Sequence, residues 1–174
     1  MVAANGYSIP TMTPDHANNT SPRLPRLLAA PLSLLPDPLH SHFLARVLNK
    51  ALDEPMRDGD LDFLENRTLA IRICDAGMTI GLTFDGNRLM ACHQRRTCDL
   101  SIAGTVYDFL ALISGEEDPD TLVFQRRLVT QGDTELGLEV KNFLDGLDVE
   151  SLGLYRRIEP LLKRLLPVYR RVFG

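Results

Sequence analysis

Residues 69–84 read LAIRICDAGMTIGLTF, and two alternations within that stretch decide the fold. Leu69, Ile71 and Ile73 take every second place, with Ala70, Arg72 and Cys74 between them. After Asp75-Ala76-Gly77 the pattern resumes with Met78, Ile80, Leu82 and Phe84 against Thr79, Gly81 and Thr83. A period of two is the period of a strand, and a short Asp/Gly segment between two such runs marks a hairpin. Asp85-Gly86-Asn87 then turns into a third strand at 88–92. A fourth, at 98–103, sets Cys98, Leu100 and Ile102 on one side. A sheet with one apolar side has to be covered.

The cover follows directly. Thr105 with Asp108 three residues on has the spacing of a capping box, and Gly115 is placed to end the helix it opens. The expected inner face of that helix is Val106, Phe109, Leu110 and Ile113. Beyond an acidic turn at 116–120 come the apolar Leu122, Val123 and Phe124, then a strand at 127–131. Asp133 or Thr134 caps a further helix with a stripe of Leu136, Val140, Phe143, Leu144 and Leu147. Upstream, Asp37 is a good N-cap with Pro38 at the tolerated first position. Phe43, Leu44, Val47, Leu48, Ala51 and Leu52 form a buried stripe, which Pro55 and Gly59 stop. The expected class is α+β: an antiparallel-rich mixed sheet of about five strands, covered on one face by helices.

Composition agrees with a folded domain and limits its partners. Hydrophobic residues are 44% of the 174 and charged residues 24%, enough core to exclude wholesale disorder. A net charge of −4 gives no global attraction to nucleic acid. Three cysteines (Cys74, Cys92, Cys98) make no disulfide framework and suit a reducing compartment. No apolar run is long enough to span a bilayer, and the N-terminus lacks the pattern of a secretory signal. The expected location is the cytoplasm, at the periphery of the inner membrane.

Seven of the eleven prolines fall in residues 1–38. Residues 1–22 read as a flexible tail, and 23–58 as an apolar, basic strap (RLPRLLAAPLSLL) followed by the first helix. The sheet-and-helix domain occupies 60–147, and 151–174 form an amphipathic helix. In that last segment Arg156/Arg157, Lys163/Arg164 and Arg170/Arg171 repeat every seven residues, and so fall on one stripe. Six cations against Glu159 give it +5, which leaves −9 for the remainder of a chain whose total is −4. These six residues are the expected contacts with an anionic membrane surface, with the apolar residues of the helix falling outside their stripe. A helix that closes the core with a solvated basic face fits the same pattern. Pro160 is placed to start its ordered part and Pro167 to kink it.

No catalytic chemistry emerges. Cys92, His93 and Cys98 lack the fourth ligand and the close cysteine pair of a zinc site, and no third residue orients a Cys–His nucleophile. Asp75, Asp85 and Asp99 read as turn and strand-end residues. The glycines form no phosphate loop. The expectation is a non-enzyme with no metal and no cofactor.

The segment DLSIAGTVYDFLALISG at 99–115, followed by RLVTQGD at 127–133, resembles the sterol-carrier-protein domain family over about residues 60–147. TQGDTELGLEVKNFLD at 130–145 is similar in particular to the UbiT family of accessory factors in bacterial oxygen-independent ubiquinone biosynthesis. The resemblance implies a tunnel for a long apolar ligand, a prenylquinone or phospholipid. It also implies presentation of prenylated quinone precursors to the hydroxylating partners UbiU and UbiV. It carries no catalytic residues. Candidate lining residues are Ile71, Ile73, Met78, Ile80, Leu82, Leu100, Ile102, Phe109, Ile113, Phe143 and Leu144. The alternative is a protein-interaction scaffold without a lipid, working through Arg95/Arg96 or the C-terminal helix.

Overall fold

The computed structural model describes Pro22 and residues 37–92, 98–147 and 155–173. The expected tail and strap (1–22 and 23–35, Pro22 apart), and His93, Arg95 and Arg96, lie outside them. In chain order the elements are α1 (Asp37–Ala51), α2 (Asp53–Arg57), a 3-10 turn (Asp62–Leu64), β1 (Thr68–Ile73), β2 (Met78–Phe84) and β3 (Leu89–Ala91). Then come β4 (Leu100–Gly104), α3 (Val106–Ile113), α4 (Pro119–Phe124), β5 (Val129–Gly132), α5 (Thr134–Gly146) and α6 (Tyr155–Phe173).

The sheet has five strands in the order β3-β2-β1-β4-β5. Three neighbouring pairs are antiparallel, and β1 runs parallel to β4, so the sheet is mixed and antiparallel-rich as expected. Register aligns Ile71 with Ile80 on one side and Ile102 on the other. Leu69, Ile71, Ile73, Met78, Ile80, Leu82, Phe84, Leu100 and Ile102 therefore share a face.

Asp99 sets that parallel pairing. Its Oδ2 accepts from both the N–H and the hydroxyl of Thr68, each at 2.7 Å, and so joins the starts of β1 and β4. Gly132 completes the arrangement. It has a φ of 122°, and a Cβ there would lie 2.2 Å from the Asp99 carbonyl oxygen, so only glycine lets β5 end this close to β4. The next residue, Asp133, donates its N–H to that carbonyl and caps α5 through the N–H groups of Glu135 and Leu136. The two short motifs that carried the family resemblance are thus two sides of one junction.

Several boundaries differ from the sequence reading. Strands begin later than expected at β4 and β5, where Arg127 is taken into an ion cluster and Leu128 packs toward Gly104. Leu122–Phe124 is helical, because Asp118 caps Thr121 and Pro119 opens the turn. Pro55 does not stop the first helix but sits buried inside α2. Phe43 is 70% exposed rather than part of the buried stripe. The helix is rolled so that Ser41 accepts from Gly81 N–H and Asn49 grips both the N–H and C=O of Leu89 on β3. The last helix starts before Pro160: it runs from Tyr155 to Phe173, with Pro160 and Pro167 both inside it and exposed.

Inside α3 the buried residues are Tyr107, Asp108 and Ala111, not the expected Val106, Phe109, Leu110 and Ile113. Polar chemistry turns the helix. The capping box between Thr105 and Asp108 forms as expected. The fully buried Asp108 carboxylate also accepts from Arg127 Nε at 2.8 Å. Arg127 reaches on to Glu117, and its guanidinium lies 5.6 Å from the centre of the Tyr107 ring. Burial pulls that guanidinium down, but Glu117 and Asp108 outweigh it and hold it above its ordinary range.

Candidate functional site, an apolar trough on the sheet

Among the described residues two helices cover the apolar face of the sheet, and they sit on its flanks. α1 lies over β2 and β3, while α5 packs against β5 and the 3-10 turn. Ala45 of α1 forms a buried cluster with Ile80 and Leu82, against which Leu44, Leu48, Ile71, Ile73 and Met78 pack. Leu136, Val140, Phe143 and Leu144 of α5 join Leu69, Leu100 and Ile102 in a second cluster with Leu61, Leu64, Phe84 and Leu89. Between the flanks runs β1, the middle strand.

A middle strand under a continuous helical layer would be the most buried part of the molecule. Here it is not. Ile80, Leu82, Phe84 and Leu100 are buried, yet Leu69, Ile71, Ile73, Met78 and Ile102 are only half-buried. The half-buried strip is apolar and central, and we call it a trough because among the described residues it lies between the ground taken by α1 and that taken by α5. At one end it meets Gly104, two residues beyond Ile102 on the same face. A Cβ on Gly104 would lie 2.6 Å from Leu128 Cδ2 and 3.4 Å from Phe109 Cε2, so the bare glycine lets both side chains close on the strand.

The candidate lining residues fall into three groups. Ile71, Ile73, Met78, Ile80 and Leu82 come together under α1, and Leu100, Ile102, Phe143 and Leu144 under α5. Phe109 stands at the Gly104 end. Ile113 is 44% exposed and is not brought to the strands. Sequence reasoning missed Leu44, Leu48 and Leu128 as wall residues, and gave His40 no role. The spacing of His40, Leu44 and Leu48 by four was the signal available.

A separate cleft of ≈ 600 Å³ opens between α2 and α5, with Pro55, Phe63, Phe143 and Leu147 beneath a rim of Glu54, Asp58, Asp60 and Glu139. Its carboxylates make it a poor seat for an anionic head group. Among the described residues no group of three His, Cys, Asp or Glu side chains is placed to hold a metal. Burial pushes the Cys98 thiol up, away from the thiolate that nucleophilic chemistry requires.

The C-terminal helix attaches at α3. Leu166 is 1% exposed against Tyr107 and Ala111, and the Tyr169 ring stacks on Tyr107 at 5.8 Å between centroids. Burial, and then the neighbouring Asp75 carboxylate, hold the Tyr169 hydroxyl protonated above its usual range. Leu162, Leu166 and Tyr169 thus use one side of the helix. Leu161, Leu165 and Val168 form an adjacent apolar row that stays exposed, and Lys163, Arg164, Arg170 and Arg171 are exposed as well. The side chains of Arg156 and Arg157 lie outside the described residues. No described helix is long and apolar enough to cross a membrane.

Comparison with known proteins matches this arrangement. A profile described as the SCP-2 sterol transfer family covers residues 45–145. The ubiquinone biosynthesis accessory factor UbiT of Escherichia coli K12 is 39% identical over 128 residues, 74% of this chain and 73% of that protein. UbiT of Escherichia coli O157:H7 matches to the same extent. Among solved structures, the UbiJ-SCP2 ubiquinone synthesis protein superposes with a TM-score of 0.51 over 62% of this chain and 95% of that one. At 17% identity that likeness concerns the fold alone.

Proposed function

The chain belongs to the SCP-2 sterol transfer family, and from that premise we propose that it is a lipid-binding accessory factor of ubiquinone biosynthesis. It holds prenylated quinone precursors in the trough over β1 and presents their head groups to partner hydroxylases, UbiU and UbiV, in the oxygen-independent route. It works without a catalytic centre of its own. One observation carries the reading: the strip formed by Ile71, Ile73, Met78 and Ile102 is apolar, central and half-buried. Each CH₂ of a prenyl tail buried there gains about 0.8 kcal/mol, so a long tail is drawn in strongly.

The same proposal places the protein at an anionic bilayer. The row of Leu161, Leu165 and Val168 has no cover from the body, and an exposed apolar row beside cations suits the interface of a membrane. At about 100° per residue, Arg164 and Arg171 border that row, whereas Lys163 and Arg170 point away from it. Lys163 is moreover paired with Glu159. Leu162, Leu166 and Tyr169 keep the helix on α3 while its neighbouring row meets lipid.

Mass spectrometry of an organic extract of the purified chain, produced in bacteria grown without oxygen, tests the reading. Prenylated phenols or quinones are expected in the extract. A ligand-free protein that also takes up no added prenylated phenol would favour the scaffold alternative. Turnover of lipid esters would contradict the non-catalytic reading.

A further inference from the structure

One side chain on α1 is not explained by packing. His40 has both Nδ1 and Nε2 shielded from solvent, and neither nitrogen meets a hydrogen-bond partner among the described residues. A neutral imidazole carries one donor and one acceptor, and a charged one carries two donors. In either state two polar groups are buried and unmatched, which native structures tolerate rarely and usually for a reason of function.

The position of His40 suggests that reason. Its neighbour Ser41 accepts from Gly81 N–H, so the first turn of α1 is fixed above β2. Asn49 holds the outer strand β3, which defines the outer flank of the helix. His40 lies on the other flank, one turn before Leu44, and Leu44 and Leu48 pack on the same buried cluster of Ala45, Ile80 and Leu82 as Ile71, Ile73 and Met78 do. By helical spacing Val47 and Ala51 share this side. By that spacing the imidazole lies on the flank of α1 away from β3, in line with Leu44 and Leu48.

We infer that His40 is a ligand-binding residue, the polar anchor of an otherwise apolar trough. It receives the ring oxygen of an aromatic head group carried on an isoprenoid tail. The inference rests on the lipid-holding function proposed above. A neutral imidazole accepts from a phenol O–H through one nitrogen and donates to a quinone carbonyl through the other. One side chain thus serves both oxidation states of such a ring, which an amide-free leucine wall does not.

Calorimetric titration of the full chain with a farnesylated phenol, and with the matching farnesylbenzene that lacks the hydroxyl, tests this. The wild-type chain should prefer the phenol by about tenfold, the scale of one buried hydrogen bond. His40→Leu should bind both probes equally, at the affinity the wild type shows for the hydrocarbon. His40→Gln, which keeps a donor and an acceptor, should retain part of the preference. Nitrogen-15 signals of His40 in the wild-type chain should move on adding the phenol and stay still with the hydrocarbon. A wild-type preference that survives in His40→Leu, or histidine signals indifferent to the phenol, overturns the inference. Equal binding of both probes to the wild type also overturns it, yet leaves the lipid-holding function standing. Failure of both probes to bind the wild type removes that function, and the assignment of His40 with it.

Discussion

The apolar face of the sheet has two regions built from the same kinds of side chain and packed differently. Leu82, Phe84 and Leu100 are shut away beneath α1, the 3-10 turn and α5. Ile71, Ile73, Met78 and Ile102, on the same face of the same sheet, stay half-buried. Nothing in residue type separates them. The difference comes from where the helices are anchored: Asn49 and Ser41 pull α1 toward β3 and β2, and the junction of Asp99, Gly132 and Asp133 pulls α5 toward β5. What sits between the anchors is the strip to which the proposed function assigns the ligand. Polar anchoring at the edges, rather than hydrophobicity at the centre, therefore shapes the site.

The largest expected effect comes from breaking the support at the Gly104 end of the trough. Asp108→Ala removes the fully buried partner of Arg127, leaving it only Glu117, and opens the capping box of α3, so urea unfolding should show a loss of about 3–5 kcal/mol. Next, the two regions should differ under truncation. Leu82→Ala should cost about 2–5 kcal/mol, and Met78→Ala clearly less, because its site already lacks neighbours. Equal losses would mean that the strip is ordinary core.

Enlargement should sharpen the contrast in the opposite sense. Leu82→Phe overpacks the shut region and should cost about 1–3 kcal/mol, whereas Ile71→Phe should be nearly neutral in thermal melting. The smallest effects belong to α6, which the proposed function sets against a membrane. Arg164→Gln and Arg171→Gln should each weaken binding to anionic vesicles by about 1 kcal/mol at low salt, while Arg170→Gln does less. Added salt should shrink these differences, as measured by vesicle sedimentation.

Much of the fold was legible in the sequence because strand alternation and capping are local. The alternations at 69–84 became β1 and β2, and Thr105 with Asp108 became the cap of α3. The rotation of the helices was not legible. Phe43 and Ile113 lie on apolar faces by periodicity, but polar contacts distant in sequence (Asn49 to Leu89, Asp108 to Arg127) decide which way each helix turns. The site was legible as a set of apolar residues and not as a trough, since burial depends on where covering helices are anchored. His40 escaped notice because an unpaired group is defined by what surrounds it, and sequence shows no surroundings.

The most direct test of the trough is to fill it. Ile71→Phe combined with Ile102→Phe should keep the melting temperature of the wild type while weakening the binding of a farnesylated phenol at least tenfold in calorimetric titration. Undiminished binding by a chain with both phenylalanines in place, and still folded, would contradict the assignment of the ligand to this strip.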